Sequence, residues 1–448
     1  MKYSVVTFGC RVNQADSLRI EDEFRARGAS EAAPGLADLV VVNTCSVTAT
    51  ADQGARQTIR RIARDNPAAR IVVTGCYATR CASDVVALPN VVCVVGNDCK
   101  DSLVRDLDAA GGMPTSVRFG DGDGPCGAIE PGAAGRTAFT LRVQTGCEEA
   151  CAYCIIPTTR GAGRSLPVAE VVRAVERAGG AGFREVALTG VHLGSYGRDL
   201  ASPSSLLALL RALDTVRLKP DTTYGSATAL DPSNRGAKPL AERGDLLFRI
   251  SSLEPMDCSG EIVDLVAASD RFAPHFHLPL QHASDRVLAA MRRPYTLAQY
   301  SALVNEIRAK LPGASIGSDI IVGFPAETDD EFEELAAYLE RAPLTHLHVF
   351  PYSDRPGTAA TAMGGKVPGA VVRARASRIR DIGHRLAERF RDSQVGTTHR
   401  ALTLEDGTLA VTGNYLKVRI PPGRTRNEWV TVVVTETRDT IRGNLVIG

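Results

Sequence analysis

The sequence has no apolar run long enough to cross a bilayer. It also shows no signal peptide. Its opening, MKYSVVTFGC, carries one lysine and a short apolar stretch that passes straight into polar sequence, which reads as a buried strand. These absences point to the cytoplasm, where thiols stay reduced and clustered cysteines bind metal more often than they pair. Bulk charge of one sign is missing too, since 52 Lys and Arg against 51 Asp and Glu leave +1. The balance is uneven, however. Residues 366–448 hold 15 basic and 8 acidic side chains, a net of +7 on a remainder of −6. A basic C-terminal segment on a slightly acidic chain points to a polyanionic partner, most simply a nucleic acid.

At 448 residues, 44 % hydrophobic and 23 % charged, the chain has the composition of a globular protein with two to four domains. Residues 1–110 form the first. Three strand-like runs, YSVVTFG, LVVVNT and RIVVTG, are separated by helical patterns over residues 16–27 and 52–64. That rhythm predicts an open, mostly parallel α/β sheet. Each run ends at a cysteine: Cys10, Cys45 and Cys76. Parallel strands of one sheet end on one edge, so these three cysteines become neighbours and suit a shared metal site. The alternative is that each is a small buried residue.

Residues 111–137, rich in Gly, Pro and Asp, read as a linker. Residues 138–365 repeat six strand–helix units, which predicts a partial (β/α)6 barrel, with a full eight-unit barrel as the alternative. A loose insertion at 216–245 follows a helix and precedes a strand, so it is expected at the face opposite the active one. Residues 366–392 form an Arg-dense helix. Residues 393–448 show short alternating runs and read as a small antiparallel β-barrel of about five strands.

The stretch TGCEEACAYC places Cys147, Cys151 and Cys154 in a C-x3-C-x2-C pattern, and no fourth cysteine follows nearby. A structural zinc site wants four closed ligands. A cubane 4Fe-4S cluster held by three thiolates keeps one iron open for a small molecule. The loop follows LRVQT, the first barrel strand, and so lies at the catalytic face.

This triplet, with Tyr153 before its last cysteine, resembles the radical S-adenosylmethionine superfamily. TFGCRVNQADS, NTCSVTATADQGARQTIRR and VVTGCYA are similar to the N-terminal domain of the methylthiotransferases. ISSLEP, HLPLQHASDRVLAAMRRPYT, DIIVGFPAETDDEF and LHVFPYSDRPGTAA match that family's barrel. The C-terminal barrel resembles a TRAM domain, an RNA-binding module. The departures are the insertion at 216–245 and His282-Ala283, where the family pattern has Gly-Ser. The resemblance implies two 4Fe-4S clusters, one on Cys147, Cys151 and Cys154 and one on Cys10, Cys45 and Cys76. It implies S-adenosylmethionine as cofactor, both as methyl donor and as radical source.

Beside the radical cluster the expected cofactor contacts are Tyr153, Arg160, Arg164, Ser252 and Glu254. Asn13 and Asn43 fall near the second cluster or serve as turn residues. His192, His282 and the remaining cysteines (Cys81, Cys93, Cys99, Cys126 and Cys258) are expected to be structural or incidental. The N-terminal motifs look most like the branch acting on threonylcarbamoyladenosine beside the tRNA anticodon. The sister branches act on isopentenyladenosine or on an aspartate of a ribosomal protein. Expected partners are the tRNA anticodon stem-loop, met by Lys417, Arg419, Arg424 and Arg426, and an electron donor such as flavodoxin or ferredoxin. The non-enzymatic alternative is a zinc-stabilised RNA-binding protein.

Overall fold

The computed structural model describes residues 1–46, 49–109, 130–132, 137–216, 246–436 and 441–445. Most of the expected linker, the insertion from residue 217 onward and Cys126 lie outside the described residues. The N-terminal part runs β1 (Lys2–Thr7), α1 (Arg11–Ala26), β2 (Ser30–Glu31), β3 (Leu39–Thr44), α2 (Ala49–Asp65), β4 (Arg70–Gly75), α3 (Cys76–Arg80), α4 (Ala82–Val86), β5 (Val91–Val95) and α5 (Leu103–Ala109). The five strands form one parallel sheet in the order β2-β1-β3-β4-β5. Strand β3 is apolar without alternation because both its faces are covered. Leu39 and Val41 pack on one side with Ile20, Phe24 and Leu103, and Val40 and Val42 on the other with Ile59.

Two of these strands are additional to the three expected. β2 has two residues, too few for any periodicity, and a five-residue apolar run such as VVCVV cannot be told from a buried helix segment by pattern alone. Helix α1 starts five residues before its expected start at residue 16, because Cys10 occupies the N-cap position without a side-chain cap.

The second part contains β6 (Phe139–Arg142), β7 (Gln144–Thr145), α6 (Ile156–Arg160), β8 (Arg164–Ser165), α7 (Val168–Gly180), β9 (Glu185–Thr189), α8 (Leu206–Thr215), β10 (Leu247–Ile250), α9 (Gly260–Ala268), β11 (His275–His277), α10 (Asp285–Ala290), α11 (Leu297–Lys310), β12 (Ser315–Val322), α12 (Asp329–Arg341) and β13 (His346–Pro351). The six main strands form two parallel triplets, β6-β9-β10 and β11-β12-β13, joined by a bridge between Phe248 and Phe272. This is the expected partial barrel, open between β6 and β13. Outward-facing Leu141, Val186, Leu188, Phe248, Ile250, Phe276 and Ile316 make the core with the helices. Ordinary barrels of this kind are also filled inside with Val, Ile and Leu. Here the pairing registers put Arg142, Thr189, Arg249, His275, His277, Asp319, His346 and His348 on the inner face. His348 is exposed in mid-strand. The barrel therefore encloses a polar chamber. Gly317 makes room for the His346 ring, which a Cβ would overlap.

α13 (Gly369–Asp392) is the Arg-dense helix. It packs Val372, Ala376, Ile379, Ile382 and Leu386 into the core. Much of its charge is neutralised locally: Arg375 meets Glu327 at 2.6 Å, Arg378 meets Glu333 at 2.5 Å and Arg385 meets Glu340 at 2.9 Å. β14 (Thr398–Leu404), β15 (Leu409–Thr412), β16 (Lys417–Arg419), β17 (Trp429–Glu436) and β18 (Arg442–Leu445) close a five-stranded barrel. Its pairings are antiparallel except for one parallel contact between β16 and β18, a departure from the purely antiparallel barrel expected. It docks beneath the larger barrel. Asn427 Nδ2 donates to the Gly182 carbonyl at 2.7 Å, and Asn414 Nδ2 to the Gly313 carbonyl at 2.9 Å, both just before barrel strands begin.

Candidate active site

The loop bearing Cys147, Cys151 and Cys154 is closed at its base by the short β7–β8 pair. Gly146 has φ +78°, and a Cβ there would overlap the Ala162 carbonyl on the returning strand. The loop is anchored to the barrel top by two backbone bonds: Ala152 N–H to the Met291 carbonyl at 3.0 Å, and Ala360 N–H to the Ala152 carbonyl at 2.8 Å. Buried Gln144 accepts from the N–H groups of Val191 and His192 at 3.0 and 2.9 Å, tying β7 to the loop after β9. Arg293 donates to the Cys151 sulfur at 3.1 Å and is held by Glu254. Tyr153 packs against the apolar cluster of Val287, Met291, Phe324 and Ala360. Burial pushes the Cys154 thiol up to about 12 and raises that of Cys151, against the pull of Arg293.

The other three cysteines follow the ends of β1, β3 and β4. Thr7 is level with Asn43, and Asn43 with Thr74, so Cys10, Cys45 and Cys76 leave adjacent strands at one edge. Gly9 lies so close to Cys45 that a Cβ would overlap its sulfur. Asn97 Nδ2 lies 3.6 Å from the Cys76 sulfur and donates to the Thr159 carbonyl in α6 at 2.8 Å. Helix α3, which begins at Cys76, packs on α6, which begins two residues after Cys154. A five-residue helix is about 7.5 Å long, so the two cysteine groups face each other across a short span. Helix α1 runs beside β6, and the N-terminal part therefore leans on the open side of the barrel as well as capping its top.

The structure moves several expected contacts. Arg160 is buried at the N-terminal cysteines, where Cys76, Asp16 and Cys10 outweigh burial and hold its pKa above the ordinary range. It donates to Asn13 Oδ1 at 2.6 Å and to Thr145 Oγ1 at 3.1 Å, so it bridges the two parts. One oxygen of the Glu254 carboxylate is engaged by Arg293. Ser252 does face the chamber, 2.8 Å from His277 Nδ1. Arg164 is exposed at the mouth of the loop. Asn13 and Asn43 are buried in a helix and a strand and are not turn residues. They belong to a network that sequence reasoning missed, in which Asp16 meets Lys100 at 3.0 Å and Arg142 at 2.5 Å. His192 lies against Cys147 and bonds Asp257 at 2.9 Å, and His282 is fully buried.

On the small barrel, Lys417 and Arg419 are exposed and line a groove of about 440 Å³ with Arg391 and Tyr415. Arg424 lies 3.9 Å from Glu428. Arg426 donates to the carbonyls of Glu405 at 3.1 Å and Gly132 at 3.2 Å and has no carboxylate partner among the described residues.

Residues 2–96 match the model of Uncharacterized protein family UPF0004, and residues 141–339 that of the Radical SAM superfamily. The threonylcarbamoyladenosine tRNA methylthiotransferase MtaB of Aquifex aeolicus (strain VF5) is 33 % identical over 94 % of this chain and 96 % of its own. The chain belongs to the radical S-adenosylmethionine tRNA methylthiotransferase family. MtaB of Bacillus subtilis (strain 168) is 34 % identical over 86 % of this chain and 80 % of its own. The tRNA-2-methylthio-N(6)-dimethylallyladenosine synthase of Corynebacterium efficiens is 32 % identical over 90 % and 75 %. The fold is shared with the radical S-adenosylmethionine methyltransferase TsrM from Kitasatospora setae, solved with cobalamin and a [4Fe-4S] cluster. There the TM-score is 0.55 at 16 % identity, covering 80 % of this chain and 76 % of that one. This methylthiotransferase is therefore an enzyme, and membership implies a 4Fe-4S cluster and S-adenosylmethionine. No helix among the described residues is long and apolar enough to cross a membrane.

The residues present fit such a cluster. Buried thiols with raised pKa values ionise only beside strong positive charge, which bound metal supplies. Among the described residues no three His, Cys, Asp or Glu side chains are arranged around one metal ion. A cubane, in contrast, takes its thiolates at separate corners. At the N-terminal group, Arg355 is 4 % exposed beside Cys45, and its Nε and Nη2 have no acceptor. Buried donors without partners are costly, and an anionic, sulfur-rich group at Cys45 would relieve them.

Proposed function

We propose that this methylthiotransferase modifies carbon 2 of threonylcarbamoyladenosine beside the tRNA anticodon. In this reading Cys147, Cys151 and Cys154 hold one 4Fe-4S cluster, and Cys10, Cys45 and Cys76 hold a second. The observation that supports it most is the opposition of the two cysteine groups across the α3–α6 contact, above a polar chamber. The bound clusters and S-adenosylmethionine supply the one-electron chemistry and methyl group needed at a C–H bond that no general base deprotonates.

The chain's own residues do the rest. Arg293 donates to the Cys151 sulfur, and Glu254 keeps the guanidinium there. Tyr153 closes the loop against apolar side chains, and Ser252 offers a hydroxyl in the chamber. Arg160 and Asn97 hold α6 against the N-terminal cysteines. Arg164 at the loop mouth is placed for a substrate phosphate. Lys417, Arg419 and Arg424 supply phosphate contacts for the anticodon stem-loop. A small reduced electron carrier, flavodoxin or ferredoxin, completes the set of partners.

The substrate assignment leans on the relatives whose names carry it. Three tRNAs test it: unmodified, dimethylallylated and threonylcarbamoylated, each offered to the reduced, reconstituted enzyme. Nucleoside mass spectrometry should show the methylthio product from the threonylcarbamoylated tRNA. Reaction with only the dimethylallylated tRNA would assign the sister substrate.

A further inference from the structure

We infer that Arg11 binds the carboxylate of the threonylcarbamoyl group, making the chamber floor around it the specificity pocket for the N6 substituent. This inference rests on the substrate reading above. Arg11 is the first residue of α1, next to Cys10, and is half-buried. The large arginines around the same chamber have carboxylate partners: Arg142 with Asp16, Arg160 with Asp16, Arg249 with Glu185, Arg293 with Glu254 and Arg355 with Asp52. Among the described residues Arg11 has none. Among those residues its side chain makes one hydrogen bond, a neutral one from Nη2 to the Tyr415 hydroxyl at 3.0 Å.

Tyr415 defines the place. It rises from the turn between β15 and β16, stacks on His275 at 4.8 Å and lies 4.7 Å from the Arg249 guanidinium carbon. It also lines the groove that holds Lys417 and Arg419, where it is 41 % exposed, so it joins that groove to the inner barrel face. It is the floor of the chamber, and Arg11 lies over it. Burial, together with Arg249, holds His275 well below the ordinary histidine range, and burial likewise lowers His346 and His348. These rings are neutral near pH 7, so they offer hydrogen bonds and bring no charge of their own.

An unpaired guanidinium beside neutral donors is built for a small anion, and guanidinium meets carboxylate through two parallel N–H bonds. The threonylcarbamoyl group ends in a carboxylate and a hydroxyl. A dimethylallyl group is apolar, and burying it there would strip water from Arg11 with nothing in return. A site built to bond a polar group rejects the analogue lacking it more strongly than an apolar pocket rejects a polar one.

The test uses anticodon stem-loop RNAs carrying threonylcarbamoyladenosine, its carboxamide analogue, or dimethylallyladenosine. With the reconstituted full chain, the carboxylate RNA should be preferred over the carboxamide by about 10- to 100-fold in kcat/KM, the worth of one charge-assisted hydrogen bond. Arg11→Met should bring that ratio close to one, and Arg11→Lys should keep part of it. Fluorescence anisotropy of the same RNAs, without reductant or cofactor, should show the same collapse in Kd. The inference is overturned if the wild type does not distinguish carboxylate from carboxamide, or if Arg11→Met still does. Should Arg11→Met fail to fold, the wild-type comparison and Arg11→Lys still decide: no wild-type preference, or an undiminished preference in Arg11→Lys, counts against the carboxylate contact. Reaction of the wild type with dimethylallyl RNA alone would instead remove the substrate reading itself.

Discussion

Arg160, at the end of the helix that follows Cys154, donates Nη2 to Oδ1 of Asn13 at 2.6 Å, 147 positions earlier in the chain. This bond joins the barrel to α1, whose N-cap is Cys10. Its removal should separate the two cysteine groups before either collapses. Arg160→Met also takes one cation from buried Asp16, and breaking a buried pair costs about 3–5 kcal/mol. Lys100 and Arg142 remain to Asp16, which favours the low end. Hydrogen exchange should become faster in α3 and α6 together. Unchanged exchange in both would show that the link carries no load.

Arg293 offers a second test. A hydrogen bond to a cluster's cysteine sulfur favours the reduced, more negative state and so raises the reduction potential. Arg293→Met should lower the potential of the cluster at Cys147, Cys151 and Cys154, read by an EPR-monitored titration. An unmoved or higher potential in Arg293→Met would contradict the contact.

Much of this arrangement was legible beforehand, and the reasons are physical. The C-x3-C-x2-C triplet is local, and cysteines at the ends of parallel strands must share an edge. The supporting cast was not legible, because Arg293 lies 142 positions from Cys151 and Lys100 84 positions from Asp16. Only the completed fold brings them together. Arg160 packs at the N-terminal cysteines although it lies only six residues after Cys154, a placement that sequence distance does not show. One signal was available and unused. His275 with His277, and His346 with His348, alternate at the strand period, which marks a polar inner barrel face.

His282 makes stability depend on pH. Its ring is fully buried, Nδ1 accepts from the Ser284 N–H at 3.0 Å, and burial lowers its pKa from 6.5 to about 4. Between those values the unfolded chain binds a proton that the folded chain refuses. The neutral ring's full contribution is therefore present above pH 6.5 and is lost as pH falls toward 4. The slope is at most about 1.4 kcal/mol per pH unit. His282→Asn keeps an acceptor for Ser284 without a titrating group. Its stability in urea should fall less steeply from pH 6.5 to 5 than that of the wild type. Parallel profiles would refute the assignment.

The small barrel separates two kinds of arginine. Replacing Lys417 and Arg419 by Ala should weaken tRNA binding and flatten its salt dependence, by about 0.7–0.9 in log–log slope per lost phosphate contact. Arg426→Ala should leave the salt slope near that of the wild type and loosen the barrel's docking near Gly132, seen as a lower Tm. The reverse pattern would reassign the RNA face.

The central claim is that two cysteine groups hold two clusters over one chamber. Anaerobic reconstitution of the wild type and of two triple Cys→Ala variants, with iron analysis and EPR of the reduced proteins, tests it most directly. Two cubanes predict about eight irons per chain in the wild type and about four in each variant. Reductive cleavage of S-adenosylmethionine should be lost when Cys147, Cys151 and Cys154 are replaced. It should persist, without methylthiolation, when Cys10, Cys45 and Cys76 are replaced. Full iron content in that last variant would contradict the account.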